Sequence, residues 1–248
     1  MKVKQSKKVS WDSKKEFIEL LKNSKSPIEN KFKSFAKFIR RQDLARLIVI
    51  YEIFRKQINI KGSIIECGVN EGMSLMSMAL LSSILEPYNY HRQIIGFDTF
   101  SGFPGFTKED KPHSSDVKKS QHTFEPEFDT YEDLIKCINF YDKNRFLNNK
   151  KKIELIKGDA SKTIPKYLKE NKHLVVSLLF IDFDIYKPAK IALDNFLQGA
   201  GLSRYRSTFT DSRAGTNRQG AFTGTYKMNM DSILNDLMNK KLQPTSYA

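Results

Sequence analysis

Hydrophobic residues along this chain follow two patterns that take turns. Short, largely apolar runs recur at 63–69, 93–98, 152–156 and 174–182. Between them, apolar residues return every three or four positions. Short runs rich in Ile, Val and Phe and bounded by Gly, Asp or Ser read as buried strands, whereas the wider spacing reads as helix. Strand–helix alternation of this kind predicts an α/β fold with a parallel sheet. The run at 174–182 is the most apolar of the four and predicts a central strand buried on both faces.

The helical stretches fall on both sides of the first strand. A short amphipathic helix is expected at 13–21, where Phe17, Ile18, Leu20 and Leu21 cluster. A longer one is expected at 35–58, on Phe38, Ile39, Leu44, Leu47, Ile48, Tyr51, Ile53 and Phe54, as a capping or dimerising element before the core. Met73, Met76, Leu80 and Leu81 open a helix straight after the first strand, and Leu134, Ile135, Ile138 and Tyr141 carry another. Residues 105–130 are polar, with Pro112, Pro126, His113 and His122, and read as a long loop whose histidines are solvated. Ser161 or Thr163 is expected to cap the helix that ends before Asn171.

Downstream of Leu197 the pattern breaks. Residues 199–226 contain four Arg, no Lys, no Ile and no Val, and Asp211 is their only carboxylate. An insertion, a replaced segment or a shifted reading frame would each give that change. The expected division is a helical extension at 1–60, a Rossmann-like core at 61–198, an atypical and poorly ordered segment at 199–227, and a C-terminal helix and tail at 228–248. The C-terminal part of the sheet is thereby in question.

Charge and cysteine usage narrow the function classes. Lys and Arg number 42 against 28 Asp and Glu, a net charge of +14, which suits an anionic small-molecule substrate. The basic residues are scattered rather than interleaved with aromatics in a stripe, which argues against a nucleic-acid binder. No run approaches the ~18 apolar residues of a membrane span, and the basic, polar N-terminus lacks the apolar stretch of a secretory signal. Two separated cysteines, Cys67 and Cys137, make neither a disulfide framework nor a zinc site, and fit a reducing cytoplasm.

The chemistry gathers where strands end. Glu66, Gly68 and Gly72 form a strand–turn–helix junction of the kind that holds a nucleotide-like ligand. Asp98 closes the second strand about 30 residues on, where an acid either binds ribose hydroxyls or caps the turn. Asp159 and Ala160 follow the third strand and border the expected adenine pocket. Asp182 and Asp184, at i and i+2 after the fourth, offer oxygens to a hard cation such as Mg2+, and need a further donor.

These segments resemble a known family. The E-x-G-x-x-x-G junction resembles motif I of S-adenosylmethionine (SAM) methyltransferases. ECGVNEG, IIGFDTFSGFP, LIKGDASKTIP and LLFIDFDIYKPAKIALDNFL are similar, in order and spacing, to the macrocin O-methyltransferases, with RRQDLARLIVIYEIF upstream. The likeness covers about residues 35–197. It implies a Rossmann-like fold and Mg2+-assisted transfer of a methyl group from SAM to a sugar hydroxyl, the sugar being nucleotide-linked. It also implies that an Asp of the D-x-D element, Asp182 or Asp184, holds metal together with an acidic pair after the next strand. That pair has no counterpart in 199–226, so the metal site is expected to be incomplete and the enzyme weak. Alternative readings are a catechol-like acceptor, a SAM-binding remnant, and nucleic-acid binding.

Overall fold

The structure, a computed structural model, describes residues 12–107, 126–199, 209–210 and 227–228. The chain divides into two compact units, Met1–Ile48 and Val49–Ala248. In the first, helices α1 (Asp12–Asn23) and α2 (Ile28–Lys33) are followed by a 3-10 turn, Phe35–Lys37. Lys31 Nζ donates to the Leu21 carbonyl at 2.8 Å, and no residue of α2 is buried. Helix α3 (Arg41–Gln57) starts later than the apolar spacing predicts. The chain is non-helical at 38–40, and the Arg40 guanidinium grips Asp43 with two hydrogen bonds of 2.7 and 2.8 Å across the helix start.

The second unit is built on a four-stranded parallel sheet in the order β3-β2-β1-β4. Its strands are β1 (Ser63–Cys67), β2 (Ile94–Asp98), β3 (Ile153–Lys157) and β4 (Val176–Ile181). They alternate with α4 (Met73–Leu85), α5 (Thr130–Lys143), α6 (Ala160–Glu170) and α7 (Tyr186–Gly199). Successive strand residues go to opposite faces, so Ile64, Ile94 and Leu178 join a core with Val49, Ile53, Phe54 and Met78. Ile65, Ile95 and Leu179 join another with Ile164, Ala192 and Phe196. Cover on both faces is why β1, β2 and β4 read as near-continuous apolar runs instead of alternating ones, whereas β3 at the sheet edge is only partly buried.

β4 is the strand predicted to be central and buried on both faces. Its side chains are buried as predicted, but among the described residues it pairs only with β1 and stands at the end of the order. An apolar run reports burial by helices above and below; it carries no information about the number of hydrogen-bonded neighbours. Phe209–Thr210 (β5) and Lys227–Met228 (β6) form a second parallel pair, with β5 lying against β4. The remainder of the atypical segment, with His113 and His122 of the long loop, lies outside the described residues.

Candidate active site

The strand order sets where a ligand can sit. From β1 the chain steps to β2 and β3 on one side, then crosses back to β4 on the other. The carboxyl ends of β1 and β4 therefore flank the point where the winding reverses, the usual ligand crevice of an open α/β sheet. Gly68 follows β1 with φ 95°, and a Cβ there would lie 2.7 Å from the Asp182 carbonyl oxygen. The Asp182 amide donates to the Cys67 carbonyl at 2.8 Å, so the two strand ends are pressed together backbone to backbone. Only glycine permits both the turn and the contact.

Gly72 caps α4 with φ 85° and makes room for Leu134 of α5, whose Cδ1 would be 2.6 Å from an added Cβ. Between the glycines, Asn70 is left-handed at φ 53°. What holds this turn is Asp98. Its Oδ2 accepts the amides of Val69 and Asn70 at 2.7 and 2.8 Å, and its Oδ1 accepts the Phe100 amide at 2.8 Å. Phe100 is itself left-handed, φ 54°, a strained state for a bulky side chain. The Asp98 carbonyl takes the Gly158 amide at 2.8 Å, tying the turn after β3 to the end of β2. Of the two roles that the sequence left open for Asp98, the turn-holding one is visible in the fold. A carboxylate has about four acceptor positions, so room is left for one ligand hydroxyl.

Sequence reasoning reads Tyr131 only as an apolar position of a helix and gives Phe100 no role at the site. Phe100 meets Tyr131 edge-on at 5.2 Å between ring centres, and Lys157 Nζ stands 4.7 Å from the Tyr131 ring centre. Their only sequence signal was position: just after β2, at the start of α5, and at the end of β3.

Glu66 lies inside β1 and is buried, with Gly96 and Phe180 as register neighbours. Burial, helped by the Glu66 charge, holds the Cys67 thiol well above its usual range, which makes it an inert core residue. Asp159, rather than Ser161 or Thr163, caps α6. Its Oδ1 accepts the Ser161 amide at 2.9 Å and the Ser161 hydroxyl at 2.7 Å. The aspartate precedes the first helical residue, so its side chain reaches the free amides directly. Burial pushes the Asp159 carboxyl up, but the two Ser161 hydrogen bonds and the fields of Lys162 and Lys187 outweigh it, leaving it below its ordinary value. Ala160 is buried beside it.

Asp182 and Asp184 are half-buried after β4, and Phe183 between them packs on the second core. Among the described residues no group of three His, Cys, Asp or Glu side chains is placed to hold a metal ion. The glycine turn, with Gly68 and Gly72 at positive φ and an acceptor position left on Asp98, is chemically compatible with a nucleoside cofactor such as SAM. For Mg2+ the described donors are the two carboxylates, and the rest of its octahedron would have to come from water, substrate or further protein oxygens.

The sequence profile of the macrocin-O-methyltransferase (TylF) family matches residues 36–200, which spans all four strands of the sheet. The fold is similar to that of CalS11, a calicheamicin methyltransferase, at 29% identity and a TM-score of 0.70, over 76% of this chain and 72% of that one. The apo structure of CalS11, described as a TDP-rhamnose 3'-O-methyltransferase of calicheamicin biosynthesis, matches over the same shares at 28% identity and a TM-score of 0.61. No curated protein sequence matches the chain.

Proposed function

The chain belongs to the macrocin-O-methyltransferase family and is an O-methyltransferase, and from that premise we propose that its acceptor is a hydroxyl of a nucleotide-linked deoxysugar. The observation that carries the substrate class is the likeness to CalS11, whose substrate is TDP-rhamnose. A net charge of +14 favours an acceptor bearing a diphosphate. Residues 61–198 form the proposed SAM-binding core. The free thiols Cys67 and Cys137 suit a reducing cytoplasm, and no helix among the described residues is long and apolar enough to cross a membrane.

In this reading SAM lies across the carboxyl ends of β1, β2 and β3. Gly68 and Gly72 let the backbone approach it, and Glu66 near the carboxyl end of β1 is the proposed partner for its ammonium or a hydroxyl. Asp98 fixes the turn and offers its remaining acceptor position to the ribose, while Asp159 and Ala160 border the adenine. SAM supplies an electrophilic methyl group. The chain must present the sugar hydroxyl in line with it, and holding two substrates together supplies most of the acceleration. Asp182 and Asp184, at the β1/β4 crevice, are the proposed groups that orient the hydroxyl and accept its proton. If Mg2+ takes part, these two carboxylates would hold it, with the other oxygens drawn from water, substrate or residues outside those described.

The experiment is transfer of label from SAM to a panel of dTDP-deoxyhexoses, run with and without EDTA. Methylation of a nucleotide sugar that fails for the free sugar and for catechols supports the reading, and the reverse selectivity overturns it. Full activity in EDTA together with Asp182→Asn/Asp184→Asn would remove both metal and carboxylates from the chemistry.

A further inference from the structure

Helix α4 contains no charged residue over its 13 positions, Met73 to Leu85. A helix without charges on any side is normally an interior one. Here one side meets the core through Leu75, Met78, Ala79 and Ser82, but the opposite side faces water. That outer side carries Met73, Ser77, Leu80 and Ile84, spaced by four, three and four residues, the spacing of a helix–helix seam. Leu80 is 52% and Ile84 70% exposed.

Further exposed apolar residues stand on the neighbouring helix and at the helix ends. Tyr141 of α5 donates to the Ala79 carbonyl at 2.7 Å and its oxygen lies 2.6 Å from Ser83 Oγ, so α5 runs alongside α4. Phe140, the residue before it, is 71% exposed. Past the ends of the two helices, Tyr88 and Phe146 meet edge-on at 5.7 Å, also exposed. Aromatic side chains carry about 150–250 Å2 each, so Leu80, Ile84, Tyr88, Phe140 and Phe146 together hold roughly 500 Å2 of apolar surface in water. That lies in the upper part of the ~300–600 Å2 range of the largest patch on a typical monomer, a size that is often functional, and is more than half of the ~800 Å2 that each partner gives to a standard interface.

We propose that this face is the dimer interface of the protein, with α4 of one copy packing antiparallel on α4 of a second copy across a two-fold axis. A single seam of this spacing is self-complementary, which is what an isologous contact requires. The area suits a folded partner rather than a short peptide. A partner recruited by the +14 charge of the chain would need acidic residues to meet basic ones, and the seam offers none. The proposal is independent of the acceptor assigned above, because none of these residues belongs to the active site.

The test is the mass of the full chain in solution, by light scattering and sedimentation, for the wild type and for Leu80→Glu/Ile84→Glu. The wild type is expected to be a dimer that tightens with added salt, since salt screens the repulsion between two cationic copies and leaves apolar contact intact. The double variant is expected to show a twofold fall in mass with cooperative unfolding retained, because both positions are exposed in the single copy. Two added glutamates lower the net positive charge, so general repulsion cannot explain that fall. Lys166→Glu on α6 makes a charge change of the same sign elsewhere, and the dimer should survive it. A dimer that persists in the double variant, or that weakens with salt, overturns the proposal. So does a wild type that stays monomeric up to its solubility limit, which would leave the seam to another segment of the chain or another protein.

Discussion

The two ends of the sheet solve the same problem with opposite charges. At the amino ends of the strands a buried cation collects carbonyls and other acceptors. Arg92 donates to Glu86, Gln57 and Ser177 at 2.6 Å each and to the carbonyls of Gly62, Ile58 and Ile60 at 2.9, 2.9 and 3.1 Å. At the carboxyl ends an anion collects amides: Asp98 gathers those of Val69, Asn70 and Phe100. The difference lies in sealing. Arg92 is 2% exposed, with its charge matched by Glu86 and its donors engaged, whereas Asp98 is half-exposed and keeps acceptor capacity. One end is closed for stability, and the other is braced but open to a ligand.

Breaking the closed end should cost the most. Arg92→Ala leaves the Glu86 carboxylate and several carbonyls buried without their donor, and should destabilise the fold by about 3–5 kcal/mol in chemical denaturation. Arg92→Lys should recover little of this, because an ammonium cannot reproduce the planar fork of five donors. A loss below ~1 kcal/mol for Arg92→Ala would mean that the amino end is not held by this residue.

At the open end, backbone contact should matter more than side-chain contact. Gly68→Ala combines a left-handed φ with a Cβ 2.7 Å from a carbonyl oxygen that cannot move without β4, and should cost about 2–4 kcal/mol. Gly72→Ala shares the left-handed strain but meets only the flexible end of Leu134, so about 1–2 kcal/mol is expected. Equal effects would show that the Gly68–Asp182 contact is unimportant.

Asp98→Asn tests the brace. One side-chain atom becomes a donor, which must face either the Val69 and Asn70 amides or the Phe100 amide. SAM affinity by titration calorimetry should fall by about 1–3 kcal/mol, and hydrogen exchange should quicken at Val69, Asn70 and Phe100. Weaker binding without faster exchange would assign Asp98 to ligand contact alone.

The smallest effect concerns pH at the closed end. Lys152 donates to the Asn89 carbonyl at 2.7 Å, and burial pushes its ammonium down to about 8 against the pull of Glu86. An unfolded lysine titrates near 10.4, so between the two values the unfolded chain holds more protons and stability rises with pH. From pH 8 to 10 the gain should be about 1–2 kcal/mol, and Lys152→Met should abolish that slope. An unchanged slope in the variant would assign it to other groups.

Much of the open end was legible in the sequence, because strand ends are marked by residues of restricted conformational use. Gly68, Asp98, Asp159 and Asp182 each follow or close an apolar run, and each stands where the strands leave the sheet. Their partners were harder to read. Asp98 acts through backbone amides, which every residue carries, so no side-chain motif announces Val69, Asn70 or Phe100. Arg92 gave no signal at all: it sits in a short polar stretch before β2, where a solvated arginine would look the same.

What the sequence alone determined is periodic or local. Apolar runs and helical spacing set four strands and the helices between them, through the two repeat lengths of the backbone, and the junction glycines set the turns. The tertiary structure decided whatever joins residues far apart in the chain. It paired β4 with β1, made Asp98 a brace for a turn 28 residues upstream, and brought Gln57, Gly62, Glu86 and Ser177 around one arginine. It also left a charge-free side of α4 facing water. Periodicity reports that a side chain is buried or exposed against the average; only the packed chain assigns which groups meet, because hydrogen bonds and steric contacts act over distances that sequence separation does not measure.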